Sequence, residues 1–127
     1  MPRFVILEHT GAPDDPSGRH FDLLIEAGES CRTWRLAELP EPGGRPAAAT
    51  ELPPHRLAWL DHEAGEVSGD RGFARRVDAG TCEPRGLDAG TLGTASVLVL
   101  EMAGLRGAGR LRLECTADGW TAIAPCL

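Results

Sequence analysis

The stretch His20-Phe21-Asp22-Leu23-Leu24-Ile25-Glu26 has the alternation of a β-strand. Apolar side chains recur at every second residue, the period at which a strand returns to one face, at Phe21, Leu23 and Ile25. His20 and Asp22 therefore share the opposite face, about 7 Å apart along a strand that rises roughly 3.3 Å per residue. A divalent metal can bridge an imidazole and a carboxylate at this spacing if a neighbouring strand supplies a third ligand.

The rest of the chain has the composition of an all-β protein with long loops and little helix. Its 127 residues are enough for one domain with its own core, so we expect a single domain over 1–127. Sixteen glycines and ten prolines lie scattered between short runs of Val, Leu and Ile, which favours many short strands joined by turns. About seven to nine strands are expected, and a compact antiparallel β-barrel would leave few exposed edges.

The sequence pattern also predicts where the elements lie. A hairpin turn at Gly28-Glu29 is expected between the second and third strands. The segment 37–54, rich in Pro, Gly and Ala, is predicted to be a long connection, and a short apolar piece follows at 55–60. Ala79-Gly80 is predicted to be a hairpin turn. Clearer strands are predicted at 4–8, 20–27, 31–36, 96–102, 110–115 and 120–124.

Charge and cysteine content limit the function classes. The formal net charge of −6 argues against a protein that coats nucleic acid through bulk electrostatics, but it leaves room for a site that binds one phosphate. We expect no signal peptide and no membrane helix, which needs roughly 20 apolar residues. The four cysteines form no C-x-x-C pair, so we expect no structural zinc site. We expect reduced thiols in a cytoplasmic protein, with a disulfide as the alternative.

The histidines suggest a metal site only in combination. All four, His9, His20, His55 and His62, lie in the first half of the chain. His9 closes the first predicted strand, which can lie beside the strand that carries His20 and Asp22. Two imidazoles and a carboxylate from two strands suit manganese, iron or zinc and leave coordination positions open for water and substrate.

Several sequence blocks occur in an order typical of one family. The first three are Phe4-Val5-Ile6-Leu7-Glu8-His9, the stretch His20 to Glu26, and Arg32-Thr33-Trp34. They are followed by His55-Arg56-Leu57-Ala58-Trp59, the loop 63–72 and the run 77–84. Together these blocks resemble the 3′-phosphoesterase domain of bacterial DNA ligase D over roughly residues 4–84. The resemblance implies a β-barrel with a manganese-dependent site that removes 3′-phosphates and 3′-terminal ribonucleotides during DNA repair.

The resemblance also implies residue roles. His9, His20 and Asp22 match the family's metal ligands, and His55 matches a histidine that contacts the scissile phosphate. Trp59 stands where the family usually has a tyrosine. The metal would polarise a phosphoryl oxygen and lower the pKa of water, while the matching histidine would donate to the leaving oxygen or stabilise the developing charge. The implied partners are nucleic-acid 3′ ends and a ligase or polymerase of end joining.

The chain departs from the family at basic positions. Leu24 replaces an arginine on the strand face of the metal ligands, and Glu38 is the nearest counterpart of an expected lysine. Another expected arginine falls in the alanine segment 47–49. Arg35 and Arg71 are the residues that we expect to bind the substrate phosphate in their place, together with Trp59.

Other polar and aromatic residues have simpler interpretations. Arg19 and His62 are expected at the surface. Glu26 shares the face of His20 and either orients a histidine or an arginine, or is a strand-end charge in water. The tryptophans Trp34 and Trp120 are expected in the core or at its rim instead of on a base-stacking surface.

Three functions are compatible with these residues. The first is a stand-alone, divergent phosphoesterase of the ligase D type. The second keeps the barrel and the metal but not catalysis, as an end-binding module of a repair complex, and the lost basic residues and the net charge of −6 favour it. The third is a non-haem iron oxygenase in which His20, Asp22 and a distal His55 form the metal triad.

Overall fold

The protein is built almost entirely from β-strands. The computed structural model describes residues 1–13, 15–67, 71–85 and 92–124. The only helix of these residues is a short 3₁₀ helix at Leu57–Asp61. The nine strands of this part of the chain are Arg3–Thr10 (β1), Arg19–Ala27 (β2), Ser30–Leu36 (β3), Ala47–Arg56 (β4), Ala64–Glu66 (β5), Phe73–Pro84 (β6), Val97–Gly104 (β7), Gly107–Thr116 (β8) and Gly119–Ile123 (β9).

Eight of the strands close into an antiparallel barrel. Their order around the wall is β1-β2-β3-β4-β9-β8-β7-β6, and the pairing of β6 with β1 completes the ring. The short β5 pairs with the first residues of β6. The all-β class, the compact β-barrel and the expected number of strands are therefore confirmed.

The alternation of the sequence sorts the wall residues into an inner and an outer set. Inner side chains form one large cluster, whose largest fully buried members include Phe4, Leu23 and Trp34. Burial of each large apolar side chain contributes about 1.5–3 kcal/mol, so this cluster is the main source of stability. Later strands join it through Leu98, Leu100, Leu111 and Leu113. On β8, Arg110, Arg112 and Glu114 alternate with these leucines and lie on the outer face, where all three are at least partly exposed.

A second, smaller apolar cluster lies outside the barrel. Val5, Leu7 and Leu24 from β1 and β2 pack against Leu60 of the 3₁₀ helix and Ala74 of β6. The chain from the 3₁₀ helix to β5 thus shields part of the outer wall. The outer faces of β1 and β2 are the faces that carry His9, His20 and Asp22.

One correction concerns the segment after β3. The predicted connection over 37–54 is wrong from residue 47 onward, because Ala47–Arg56 forms β4. This strand closes the barrel by pairing with β3 on one side and β9 on the other. Its two prolines, Pro53 and Pro54, fall at the register shift between β3 and β4, where a missing backbone N–H breaks no ladder bond. Tertiary pairing outweighs the local composition here.

A second correction concerns β6. The predicted hairpin at Ala79-Gly80 is wrong, because both residues lie within the continuous strand Phe73–Pro84. Gly80 is paired with Phe4 of β1 and with Gly104 of β7. A Cβ at Gly80 would collide with the Ala103 carbonyl oxygen and lie 2.8 Å from the Gly104 Cα. The glycine allows a close approach of two strands and does not mark a turn.

We expect Gly80→Ala to destabilise the protein by about 1–3 kcal/mol, because the added methyl group forces β7 away from β6. Urea unfolding measures this change. The matched control is Gly109→Ala, a strand glycine with nothing within 4 Å of its added Cβ. The control should stay within about 0.5 kcal/mol of the wild type. Equal unfolding midpoints for the two variants would contradict the close approach.

The predicted turn after the second strand is confirmed, whereas the predicted loop 63–72 contains the short strand β5, and its residues 68–70 lie outside the described residues. Gly28 and Glu29 form the turn between β2 and β3, and Gly28 has a positive φ of 71°. Cys31, Cys82 and Cys115 are free thiols, whereas Cys126 lies outside the described residues. Burial raises the pKa of the Cys82 thiol to about 11. In the described part of the chain, no helix has the length and apolar character needed to cross a membrane.

Candidate metal centre and its cleft

The register of β1 and β2 brings three candidate ligands together. His9 and His20 are directly paired across the two strands, and Asp22 is paired with Leu7. All three side chains lie on the outer face of the barrel, because the alternate residues Ile6 and Leu23 belong to the inner cluster. The predicted adjacency of these strands is therefore confirmed.

The three side chains converge on one point. His9 Nδ1 lies 3.7 Å from Asp22 Oδ2, and His20 Nε2 lies 3.5 Å from Asp22 Oδ1. One ligand atom from each residue lies within 4.8 Å of those of the other two. The imidazole rings meet edge to face, with centroids 4.8 Å apart. The side chains of His9, His20 and Asp22 are only 12%, 3% and 10% exposed.

In each imidazole, the nitrogen that points away from Asp22 donates a hydrogen bond to another acceptor. His9 Nε2 donates to the backbone carbonyl of Arg71 over 2.6 Å. His20 Nδ1 donates to Asp15 Oδ2 over 2.7 Å. Each ring therefore turns its unprotonated nitrogen, Nδ1 of His9 and Nε2 of His20, toward the Asp22 carboxylate. Metal-binding histidines in proteins commonly have this arrangement.

Two buried atoms of the group lack a hydrogen-bond partner among the described residues. They are His20 Nε2 and Asp22 Oδ1, which face each other. An unsatisfied buried polar atom costs about 1–3 kcal/mol and is rare in folded proteins. A cation between the three side chains would accept lone pairs from both atoms. The buried group of His9, His20 and Asp22 can therefore hold a metal ion.

The ionisation of the group also involves Asp15. Burial lowers the pKa of His20, but the neighbouring carboxylates of Asp22 and Asp15 outweigh burial and raise it above its usual value. Hydrogen bonds from Ser17 and His20 lower the pKa of Asp15 to about 2. Asp15 is therefore a carboxylate throughout the physiological pH range and accepts a hydrogen bond from the imidazole.

The group borders a cleft of about 640 Å³ on the outside of the barrel. His9 and Asp22 line this cleft, whereas His20 is buried and does not line it. The walls also include four further residues that the sequence singled out: Arg35, His55, Trp59 and Arg71. Six of the seven predicted site residues thus border one cavity.

The polar residues of the cleft come from different elements. Arg35 is paired with Asp22 across β2 and β3, and its Nε lies 3.7 Å from Asp22 Oδ1. His55 lies near the end of β4, and its Nδ1 donates to the Pro53 carbonyl over 2.9 Å. Its Nε2 is therefore the nitrogen that can exchange a proton.

Trp59 lies on the 3₁₀ helix and forms part of the cleft wall. Its ring centroid is 4.9 Å from that of His62. His62 Nε2 donates to the Ala74 carbonyl over 3.0 Å, which attaches the end of the 3₁₀ helix to β6. His62 is half-buried, so its expected surface position is only partly correct, and its contacts indicate a structural role.

The positions that lack a basic residue differ in their surroundings. Leu24 is fully buried in the outer apolar cluster and contributes an apolar wall to the cleft. Glu38 is exposed. Ala47 and Ala49 belong to the inner cluster of the barrel, so a charged side chain would not fit there. The cations that line the cleft are Arg35, Arg56 and Arg71.

Two cleft or site residues were not singled out from the sequence. Arg56 borders the cleft at the end of β4. Asp15 lies in a loop whose sequence indicates only turns. An acidic residue a few positions before a candidate ligand histidine could have suggested a hydrogen bond to that histidine. The contact of Asp15 with His20 depends on how the loop closes, which spacing alone does not determine.

The other candidates lie away from the metal group. The side chain of Arg19 is 61% exposed and lies 3.5 Å from Glu8, as expected for a surface charge. Glu26 accepts the backbone N–H of Arg3 over 3.0 Å, which makes it a strand-end residue. Trp34 is fully buried in the core, and its ring meets that of Trp120 at 5.3 Å.

Comparisons with known proteins add no family assignment. No protein-family model matches the chain, and no curated protein matches it.

Proposed function

We propose that this protein is a metal-dependent phosphoesterase that acts on the 3′ ends of nucleic acid, removing a 3′-phosphate or a 3′-ribonucleotide in DNA repair. The observation that carries the proposal is the arrangement around one cleft. His9 and Asp22 of the metal group, the histidine His55 and the arginines Arg35 and Arg71 all border it. Metal, proton donor and phosphate-binding cations are the groups that hydrolysis of a phosphate ester needs.

His9, His20 and Asp22 would hold the cation. Manganese is the metal that the sequence resemblance implies, and the same nitrogen and oxygen donors also suit zinc or iron(II). A divalent cation in this group supplies Lewis acidity toward a phosphoryl oxygen and a lowered pKa for water. The limited exposure of the three ligands, 3% to 12%, reduces solvent screening of their charge.

The remaining cleft residues have separate roles. In its imidazolium form, His55 would give its Nε2 proton to the leaving oxygen and become neutral, while Nδ1 keeps donating to the Pro53 carbonyl. Arg35 and Arg71 would bind the phosphoryl oxygens, since guanidinium groups match phosphate in charge and geometry. Trp59 would provide a flat apolar wall for the sugar or base beside the scissile bond.

A second function is favoured by one specific observation. The fully buried Leu24 lines the cleft and offers no charge to a phosphate there. An end-binding module of a repair complex would need the metal and the cleft but less stabilisation of the transition state. Its signature is metal-dependent affinity for recessed 3′ ends without turnover, with a ligase or polymerase as the partner that acts on the DNA.

The iron oxygenase alternative has less support. It needs His55 as the third ligand beside His20 and Asp22. Among the described residues, however, the third residue whose ligand atom converges with those of His20 and Asp22 is His9 and not His55. Iron-dependent decarboxylation of a 2-oxo acid is the activity that would favour this alternative.

The test of the proposed function uses a primer-template that ends in a 3′-phosphate or a 3′-ribonucleotide. With Mn²⁺ the wild-type protein should release phosphate or the terminal nucleoside, and EDTA should stop the reaction. His55→Ala should lower the turnover rate about 10²–10⁴-fold, the usual contribution of a general acid. Gel analysis of the labelled primer measures both products.

The matched control is His62→Ala, a histidine that contacts Trp59 but does not border the cleft. Thermal unfolding shows whether each variant is folded. The control should keep its turnover rate within a few-fold of the wild type. Metal binding without turnover of either substrate would contradict the phosphoesterase and favour the end-binding module.

A further inference from the structure

The loop between β1 and β2 is closed by its own hydrogen bonds. The N–H of Gly11 donates to the Gly18 carbonyl over 3.1 Å, and the N–H of Asp15 donates to the Ala12 carbonyl over 3.1 Å. Ser17 donates to Asp15 Oδ1 from its backbone N–H over 3.0 Å and from its hydroxyl over 2.6 Å. These contacts fix the Asp15 carboxylate in one orientation.

The other oxygen of that carboxylate is directed at the metal group. Asp15 Oδ2 accepts from His20 Nδ1 over 2.7 Å, and the Asp15 side chain is only 11% exposed. On the far side of the ring, His20 Nε2 is buried and has no hydrogen-bond partner among the described residues. The hydrogen bond from Nδ1 thus determines which nitrogen is left for a metal.

We propose that Asp15 is a positioning residue of the metal centre, which fixes the ring orientation and the Nδ1-protonated tautomer of His20. The proposal rests on the proposed function, because it concerns the same metal group. Without Asp15 the buried imidazole can protonate Nε2 and donate to Asp22, and this tautomer cannot bind a metal through Nε2.

Charge supports the same assignment. Asp15 and Asp22 bring two carboxylates to two imidazoles that must be neutral to bind a metal. Their two negative charges balance one divalent cation. His9 has no such charged partner, since its Nε2 donates to the neutral carbonyl of Arg71. Asp15 should therefore affect the metal affinity through both geometry and charge.

The test measures Mn²⁺ affinity by isothermal titration calorimetry for the full chain. Asp15→Ala should weaken binding about 10–100-fold, as loss of such a partner usually does. Asp15→Asn should weaken it less, because its amide oxygen still accepts from Nδ1. The control Asp61→Asn makes the same chemical change at a carboxylate that pairs with the exposed Arg3, and should leave the affinity within about twofold.

Nitrogen NMR of the metal-free protein gives a readout that a merely structural role would not change. The wild type should show a protonated Nδ1 at His20, and Asp15→Ala should shift the proton toward Nε2. An unchanged affinity in Asp15→Ala, or a wild-type His20 protonated at Nε2, would overturn the proposal. Neither measurement uses turnover, so a wild type that binds metal but hydrolyses nothing would overturn only the phosphoesterase.

Discussion

Asp22→Asn is expected to weaken Mn²⁺ binding about 100-fold or more and to abolish metal-dependent turnover. Asp22 is the one candidate ligand that faces both imidazoles, 3.7 Å from His9 Nδ1 and 3.5 Å from His20 Nε2. The amide keeps the shape of the side chain but removes the negative charge that a divalent cation needs. Calorimetry gives the affinity, and the primer assay gives the turnover rate.

Thermal unfolding separates this effect from misfolding. A ligand that binds only the folded state raises the unfolding temperature, so Mn²⁺ should stabilise the wild type but not Asp22→Asn. Asp118→Asn is a suitable control, because it changes an exposed acid in the turn between β8 and β9. A variant at Asp22 that binds Mn²⁺ as tightly as this control would show that the metal group is not a metal site.

Arg32→Met is expected to destabilise the barrel by about 2 kcal/mol or more, because it leaves two carbonyls without their donor, at about 1–3 kcal/mol for each buried unsatisfied group. The Arg32 side chain is 9% exposed and binds Glu51 through two nitrogens, at 2.6 and 3.2 Å. It also donates to the carbonyls of Leu92 and Ala95, at 3.1 and 2.7 Å. Its guanidinium lies over two rings, those of Trp34 and Trp120. Urea unfolding measures the loss.

Arg110→Met is the matched control for Arg32. Its side chain is 43% exposed and pairs with Glu101 at 2.8 Å on the outer wall. Removing such an exposed pair usually costs less than about 1 kcal/mol. If the two variants unfold at the same urea concentration, the buried arginine contributes no more than a surface charge.

Much of the fold and part of the site follow from sequence periodicity. The alternation in His20–Glu26 separates inner from outer residues correctly, since Leu23 is in the core and Asp22 is on the outer wall. The same alternation brings Arg35 beside Asp22 once β3 pairs with β2. Local pattern succeeds here because strands joined by short turns pair in a fixed register.

Other features depend on contacts that are distant in sequence. The alanine segment at 47–49 becomes a strand only because β3 and β9 offer backbone partners on both sides. Gly80 resembles a turn residue, but the approach of β7 explains it. The bond from Asp15 to His20 and the burial of Arg32 likewise arise from loop closure and core packing. Periodicity carries no signal for any of these contacts.

The proposed function depends on the metal group of His9, His20 and Asp22. The most direct test is a crystal structure of the protein soaked in Mn²⁺, with anomalous diffraction recorded above the manganese absorption edge. We expect one anomalous peak bordered by His9 Nδ1, His20 Nε2 and an Asp22 oxygen, each at about 2.0–2.3 Å, the usual range of metal–nitrogen and metal–oxygen bonds. A fully soaked crystal with no peak between these three side chains would contradict the account.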